Sequence, residues 1–200
     1  MTAPVVRPYC ADDLDRLYEI CLRTGAAGDD ASQHVVEPRL FGALYAAPYA
    51  VLEPAHALVL DDGGGRAIGY ALAALDTRRF EARCEAAWWP GLRARHPIGS
   101  GGNDLDELLI ALLHDPPRSR AAALATHPSH LHINLLPEAQ GAGWGRQLMQ
   151  RLQTLLCADG SSGVHLGVSA RNHRALGFYT HLGYTELAVD ALGRTLGLRL

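Results

Sequence analysis

The chain has 200 residues, of which 48% are hydrophobic and 20% charged, enough to bury a substantial core in a globular protein. Its formal net charge of −3 offers no strong basic field to a nucleic-acid partner. All 18 basic residues are Arg, which excludes Schiff-base chemistry through Lys, and the four cysteines form no C-x-x-C pair that would suggest a zinc knuckle or redox motif.

Residues 1–10 lack a basic and apolar leader, and no apolar run reaches bilayer length. A cytoplasmic protein with no membrane, metal or nucleic-acid partner is the expectation. In chain order, residues 5–8 predict a short strand. Asp12 and Asp13 place acid at a helix start, and Leu14, Leu17, Tyr18, Cys21 and Leu22 then share one helical face that Gly25 closes. Residues 38–46 suggest a second short helix. Apolar runs at 56–60 and 67–75, separated by Asp61-Asp62-Gly63-Gly64-Gly65, form a hairpin signal.

Residues 78–92 predict a helix with Trp88 and Trp89 near its end, and residues 104–113 another, broken by Pro116-Pro117. A strand at 130–136, a helix at 144–157, a strand at 164–169 and a helix at 171–182 follow. Strands at 184–189 and 195–200 close the chain. The order is β-α-α-β-β, a helical insert at about 77–128, then β-α-β-α-β-β. Without strict β/α alternation, an α/β protein with a mixed sheet in one domain over residues 1–200 is expected.

Gln140-Gly141-Ala142-Gly143-Trp144-Gly145-Arg146 lies at a strand-to-helix junction. Glycines there leave backbone N–H groups bare, and a helix N-terminus adds partial positive charge, which suits a phosphate or pyrophosphate. Glycine also serves simply to turn a loop. The dinucleotide fingerprint fails for want of its third glycine and of an acid at the ribose position, and Walker A fails for want of Lys. About thirty residues on stands Asn172-x-x-Ala175-x-x-Phe178-Tyr179-x-x-x-Gly183-Tyr184.

The spacing Q-x-x-G-x-G and this second pattern resemble, in order and separation, the two motifs of the GCN5-related N-acetyltransferase (GNAT) superfamily. From Arg7-Pro8-Tyr9-Cys10 onward the chain also resembles the acetyltransferase-like C-terminal domain of O-GlcNAcase and its stand-alone bacterial relatives. Gly69-Tyr70-Ala71-Leu72, Asp76, Phe80, Cys84 and Trp88-x-Pro90 carry that likeness, which is weakest at 95–128. The animal domain lacks the glycine loop; this chain keeps it.

The resemblance implies the GNAT acyl-CoA fold, a twisted sheet of about seven strands splayed between 130–136 and 164–169. It implies acetyl-CoA as co-substrate and direct transfer to an amine in a ternary complex, with an idle acetyl-CoA-binding module as the alternative and a homodimer as the usual assembly. The N–H groups of Gly141, Ala142, Gly143, Trp144, Gly145 and Arg146, with Gln140, would hold the pyrophosphate. The strand edge at Leu135 and Leu136 would pair with the pantetheine arm, and the Leu135 N–H would donate to the thioester oxygen. Asn172 would meet the pantetheine, with Ala175 and Phe178 in the same motif, and Tyr179 would protonate the departing thiolate. A buried structural Tyr is the plainer reading of Tyr179.

An acceptor amine must lose a proton before it attacks, so a base is needed. His130 and His132 alternate onto one strand face, as a similar H-x-H pair does in serotonin N-acetyltransferase, and are the leading base candidates. Solvent-facing histidines are the plainer reading. Asp76 is the second candidate, or a cap for the next helix. Tyr45, Tyr49, Phe80, Trp88 and Trp89 are candidates to wall an acceptor pocket or to fill the core. The Arg78-Arg79 and Arg93-x-Arg95 pairs read best as solvated surface.

Overall fold

The computed structural model describes residues 3–118, 121–190 and 193–200. Among these residues, seven strands form one sheet in the order β1-β2-β3-β4-β5-β7-β6. They are β1 Val5–Pro8, β2 Ala57–Asp61, β3 Ala67–Ala74, β4 Ser129–Leu135, β5 Gly163–Val168, β6 Thr185–Val189 and β7 Arg194–Arg199. Every pairing is antiparallel except β4 with β5. That parallel pair matches only Ser129 with Val164 and His130 with His165, while β3 and β4 stay in register from Ala74–His130 to Gly69–Leu135. Beyond His130 the sheet therefore opens, where the splay was expected.

The helices are α1 Leu14–Leu22, α2 Leu40–Tyr45, α3 Ala47–Leu52, α4 Thr77–Arg83, α5 Trp89–Arg95, α6 Asp104–His114, α7 Ala121–Leu124, α8 Trp144–Ala158 and α9 His173–His181. β2 and β3 are buried along their whole length, as strands covered on both faces must be. On one face α8 buries Leu148, Met149, Leu152 and Leu156, and each such side chain contributes roughly 1.5–3 kcal/mol. α1 and α3 pack on the other face, over β3.

The β2–β3 hairpin turns where the sequence places it. Asp61 Oδ1 accepts from the N–H groups of Gly63 and Gly65, both at positive φ. Asp61 also pairs with Arg7, which forks onto Asp13 at 2.7 and 2.8 Å and so ties β1 to the start of α1.

Three local expectations change. Residues 38–46 are followed by a further helix, α3, because Ala46 at φ −132 breaks the chain direction and Pro48 then sits in a first turn. The helix expected at 78–92 runs from Thr77 to Arg95 with a π turn at Cys84–Trp88 joining α4 to α5. β4 ends at Leu135, although the Leu136 N–H still bonds the Ile68 carbonyl at 3.0 Å.

Candidate active site

In an antiparallel pair, successive residues turn their N–H and C=O to alternate edges. The Leu136 N–H points to β3, so Leu135, one residue earlier, turns its backbone groups toward the opening beside β5. Its carbonyl there accepts from Gln140 Nε2 at 2.8 Å, and Gln140 Oε1 accepts from Arg174 at 2.6 Å. Gln140 is thus a strut between the end of β4 and α9, with both ends of its amide spent on the protein. Leu136 itself is fully buried in the core.

Gly141 and Gly143 lie at φ 81 and 82, a left-handed conformation that side chains with a Cβ rarely adopt. Gly141, Ala142 and Gly143 are exposed, and a Cβ on either glycine would meet nothing within 4 Å. Conformation, not crowding, is what glycine supplies here. Gly143 is the N-cap of α8, which has no side-chain cap and no acid in its first turn. Its first N–H groups and the positive end of its dipole are left facing that exposed loop. Arg146 is exposed on the same turn and Trp144 is half-buried.

One residue joins the two sequence motifs. A Cβ at Gly145 would stand 3.2 Å from the Phe178 ring and 3.8 Å from Leu135 Cδ1. β4, α8 and α9 therefore meet at Gly145, beside the opening. Asn172 caps α9, its Oδ1 accepting from the Ala175 N–H at 2.9 Å, and its Nδ2 lies against Gly28. Its Oδ1 is thus engaged at the helix start, and Nδ2 is the end of the amide left for the pantetheine contact that the resemblance implies. Tyr179 is buried, 5.3 Å from Phe178 and 5.6 Å from Tyr184 between ring centres. Burial, with Tyr184 adding to it, pushes the Tyr179 hydroxyl pKa up, so it keeps its proton at neutral pH.

A cavity of about 830 Å³ lies between β4 and β5, walled by Tyr45, Tyr49, Phe80 and Trp89 and floored by His130, His132 and His165. His130 Nε2 is 2.7 Å from Tyr49 Oη and its Nδ1 is 2.8 Å from Thr77 Oγ1. Burial, helped by His165 and His132, lowers the His130 pKa well below its ordinary value. Burial lowers that of His132 to about 4. Both are neutral at pH 7, each with one lone pair. Asp76 is exposed and caps α4 by accepting from the Arg79 N–H at 2.8 Å; it does not line this cavity. Arg93 is not solvated surface: it forks onto Glu85 at 2.8 and 3.0 Å.

Sequence reasoning placed Tyr49 only among possible wall residues and missed Thr77 and His165 altogether. They meet His130 across 81, 53 and 35 positions, a juxtaposition that only the strand register creates.

Residues 110–186 match the family model described as an acetyltransferase (GNAT) domain, a span running from the end of α6 through β4, α8, β5 and α9 into β6. In an alignment of 202 positions that covers 96% of this chain, it is 26% identical to Protein O-GlcNAcase of Rattus norvegicus, but it spans only 22% of that protein. It is 34% identical over 139 residues to Mycothiol acetyltransferase of Beutenbergia cavernae, covering 64% of this chain and 45% of that one. The crystal structure of SsHAT superposes with a TM-score of 0.93 at 43% identity, over 98% of each chain.

Proposed function

We propose that this chain, which belongs to the GCN5-related N-acetyltransferase superfamily and is related to the C-terminal domain of O-GlcNAcase, transfers an acetyl group from acetyl-CoA directly to an amine. The observation that carries this reading is the meeting at Gly145. There the bare N-terminus of α8, the second motif on α9 and the open edge of β4 converge beside the sheet opening. The glycine loop fits a pyrophosphate, and the open strand edge fits an extended amide-bearing arm.

In this account the N–H groups of residues 141–146 bind the pyrophosphate and Arg146 adds charge. The Leu135 N–H donates to the thioester oxygen as charge develops there. A cleft histidine takes the amine proton, and Tyr179 returns a proton to the departing sulfur. The aromatic cavity on the histidine side receives the acceptor. The name of the mycothiol relative, an acetyltransferase, supports turnover in preference to binding alone.

A second reading, a catalytically idle acetyl-CoA-binding module, draws on the two depressed histidine pKa values, since burial makes an imidazolium costly at both. Calorimetric titration with acetyl-CoA tests what the two readings share. Saturable binding is expected, weakened at least about tenfold by Gly143→Val, which strains the loop. No heat at millimolar acetyl-CoA would sink both.

A further inference from the structure

The two cleft histidines differ in what holds them. Thr77 Oγ1 lies 2.7 Å from the Pro128 carbonyl oxygen, and a carbonyl only accepts, so the Thr77 hydroxyl proton is committed there. The same Oγ1 is 2.8 Å from His130 Nδ1, which must then be the donor. His130 is therefore the Nδ1–H tautomer, with its lone pair on Nε2. Tyr49 Oη donates into that lone pair from 2.7 Å. Phe80 stacks on the Tyr49 ring at 4.4 Å and holds it in place, and burial keeps the Tyr49 hydroxyl protonated. Both nitrogens of His130 are thus engaged.

His132 sits two residues along on the same strand face. Its ring makes no hydrogen bond to a described residue. Its ring is held instead by tilted contacts with Tyr49 at 5.0 Å and Tyr45 at 5.7 Å. Two histidines that look equivalent in the sequence are therefore unequal: one is tied, the other is free on the cavity floor.

We propose that Tyr49 is a positioning residue that masks His130 and leaves His132 as the group that accepts the proton of the acceptor amine. The second half of this proposal rests on the acetyl-transfer reading; the masking does not. In the step, the amine N–H bond breaks, its electron pair stays on nitrogen to attack the thioester carbon, and the proton forms a bond to the His132 lone pair. Thr77 and Pro128 fix His130 from behind, so Tyr49 has a single orientation in which to donate.

Diethyl pyrocarbonate tests the masking without any acceptor, because it reacts with an imidazole through its unprotonated lone pair. Peptide mapping at pH 7 is expected to show His132 modified about fivefold or more faster than His130, whose lone pair must first leave a hydrogen bond. Tyr49→Phe keeps the ring and removes the donor, so it should speed modification of His130 several-fold and leave His132 unchanged. Equal rates in the unaltered protein, or no effect of Tyr49→Phe at His130, overturn the masking.

Nitrogen-15 NMR of the histidine-labelled protein reports the tautomer directly, even should the variant fail to fold. An Nδ1–H signature is expected at His130, and an Nε2–H signature there overturns the proposal. The base assignment is read on whichever amine of a panel turns over fastest. His132→Ala should lower kcat by about 100-fold, and adding Tyr49→Phe should restore part of the loss by releasing His130. A double variant no faster than His132→Ala overturns that half. Failure of acetyl-CoA to bind, measured separately, sinks the acetyl-transfer reading and leaves the labelling result to stand on its own.

Discussion

His132 carries a proton-linkage consequence that needs no substrate. Burial holds its pKa at about 4 against an ordinary value of 6.5. Between those two values the unfolded chain binds a proton that the folded chain does not. Stability contributed by this site is therefore present above about 6.5 and is lost as pH falls toward 4, by on the order of 3 kcal/mol. His130 and His165, also lowered by burial, act in the same direction. Urea titrations at pH 7 and pH 5 check this. The midpoint should fall at pH 5, and His132→Gln should flatten the difference. At Arg7, burial alone would raise the Asp13 pKa, yet the guanidinium fork holds it down. Arg7→Ala leaves a buried carboxylate without its partner and should cost about 2–4 kcal/mol, read as a shift in the urea midpoint at neutral pH.

At the scale of elements, α8 and α9 approach closely because residue 145 has no side chain. Gly145→Val would drive a branched side chain into the Phe178 ring, now 3.2 Å from where a Cβ would lie. The ring must shift, so a loss of about 1–3 kcal/mol in stability is expected, with a larger proportional loss in acetyl-CoA affinity because the loop and the strand edge separate. Denaturation and calorimetry on the same variant compare the two. Most elements were legible in the sequence. The 3.6-residue stripe of α8 and the Asp-Gly turn between β2 and β3 announce themselves locally. The break at Ala46 and the π turn at Cys84–Trp88 do not, because the Pro two residues beyond each, Pro48 and Pro90, fits the first turn of a helix as readily as it ends one, and tertiary packing sets the break.

For the whole molecule, the parting of β4 from β5 after two residue pairs makes the site. The glycine loop and the Asn172–Tyr184 pattern made one side of it readable, since each is a contiguous motif. The histidine side was readable only as an H-x-H pair. Its second layer, Tyr49 from α3 and Thr77 from α4, reaches His130 through sheet register and helix packing, which no local spacing encodes. A ligand that binds in the opening holds both halves of the sheet together. Acetyl-CoA at about 100 times its Kd should therefore stabilise the fold by about 2.7 kcal/mol, raising Tm by a few degrees.

The central claim is acetyl transfer, and CoA thiol release from acetyl-CoA across a panel of primary amines tests it most directly. Amine-dependent release is expected, reduced about 100-fold or more by Tyr179→Phe and by His132→Ala, with acetyl-CoA binding retained in both variants. Tight acetyl-CoA binding with no amine-dependent release, or release that neither substitution changes, would contradict it.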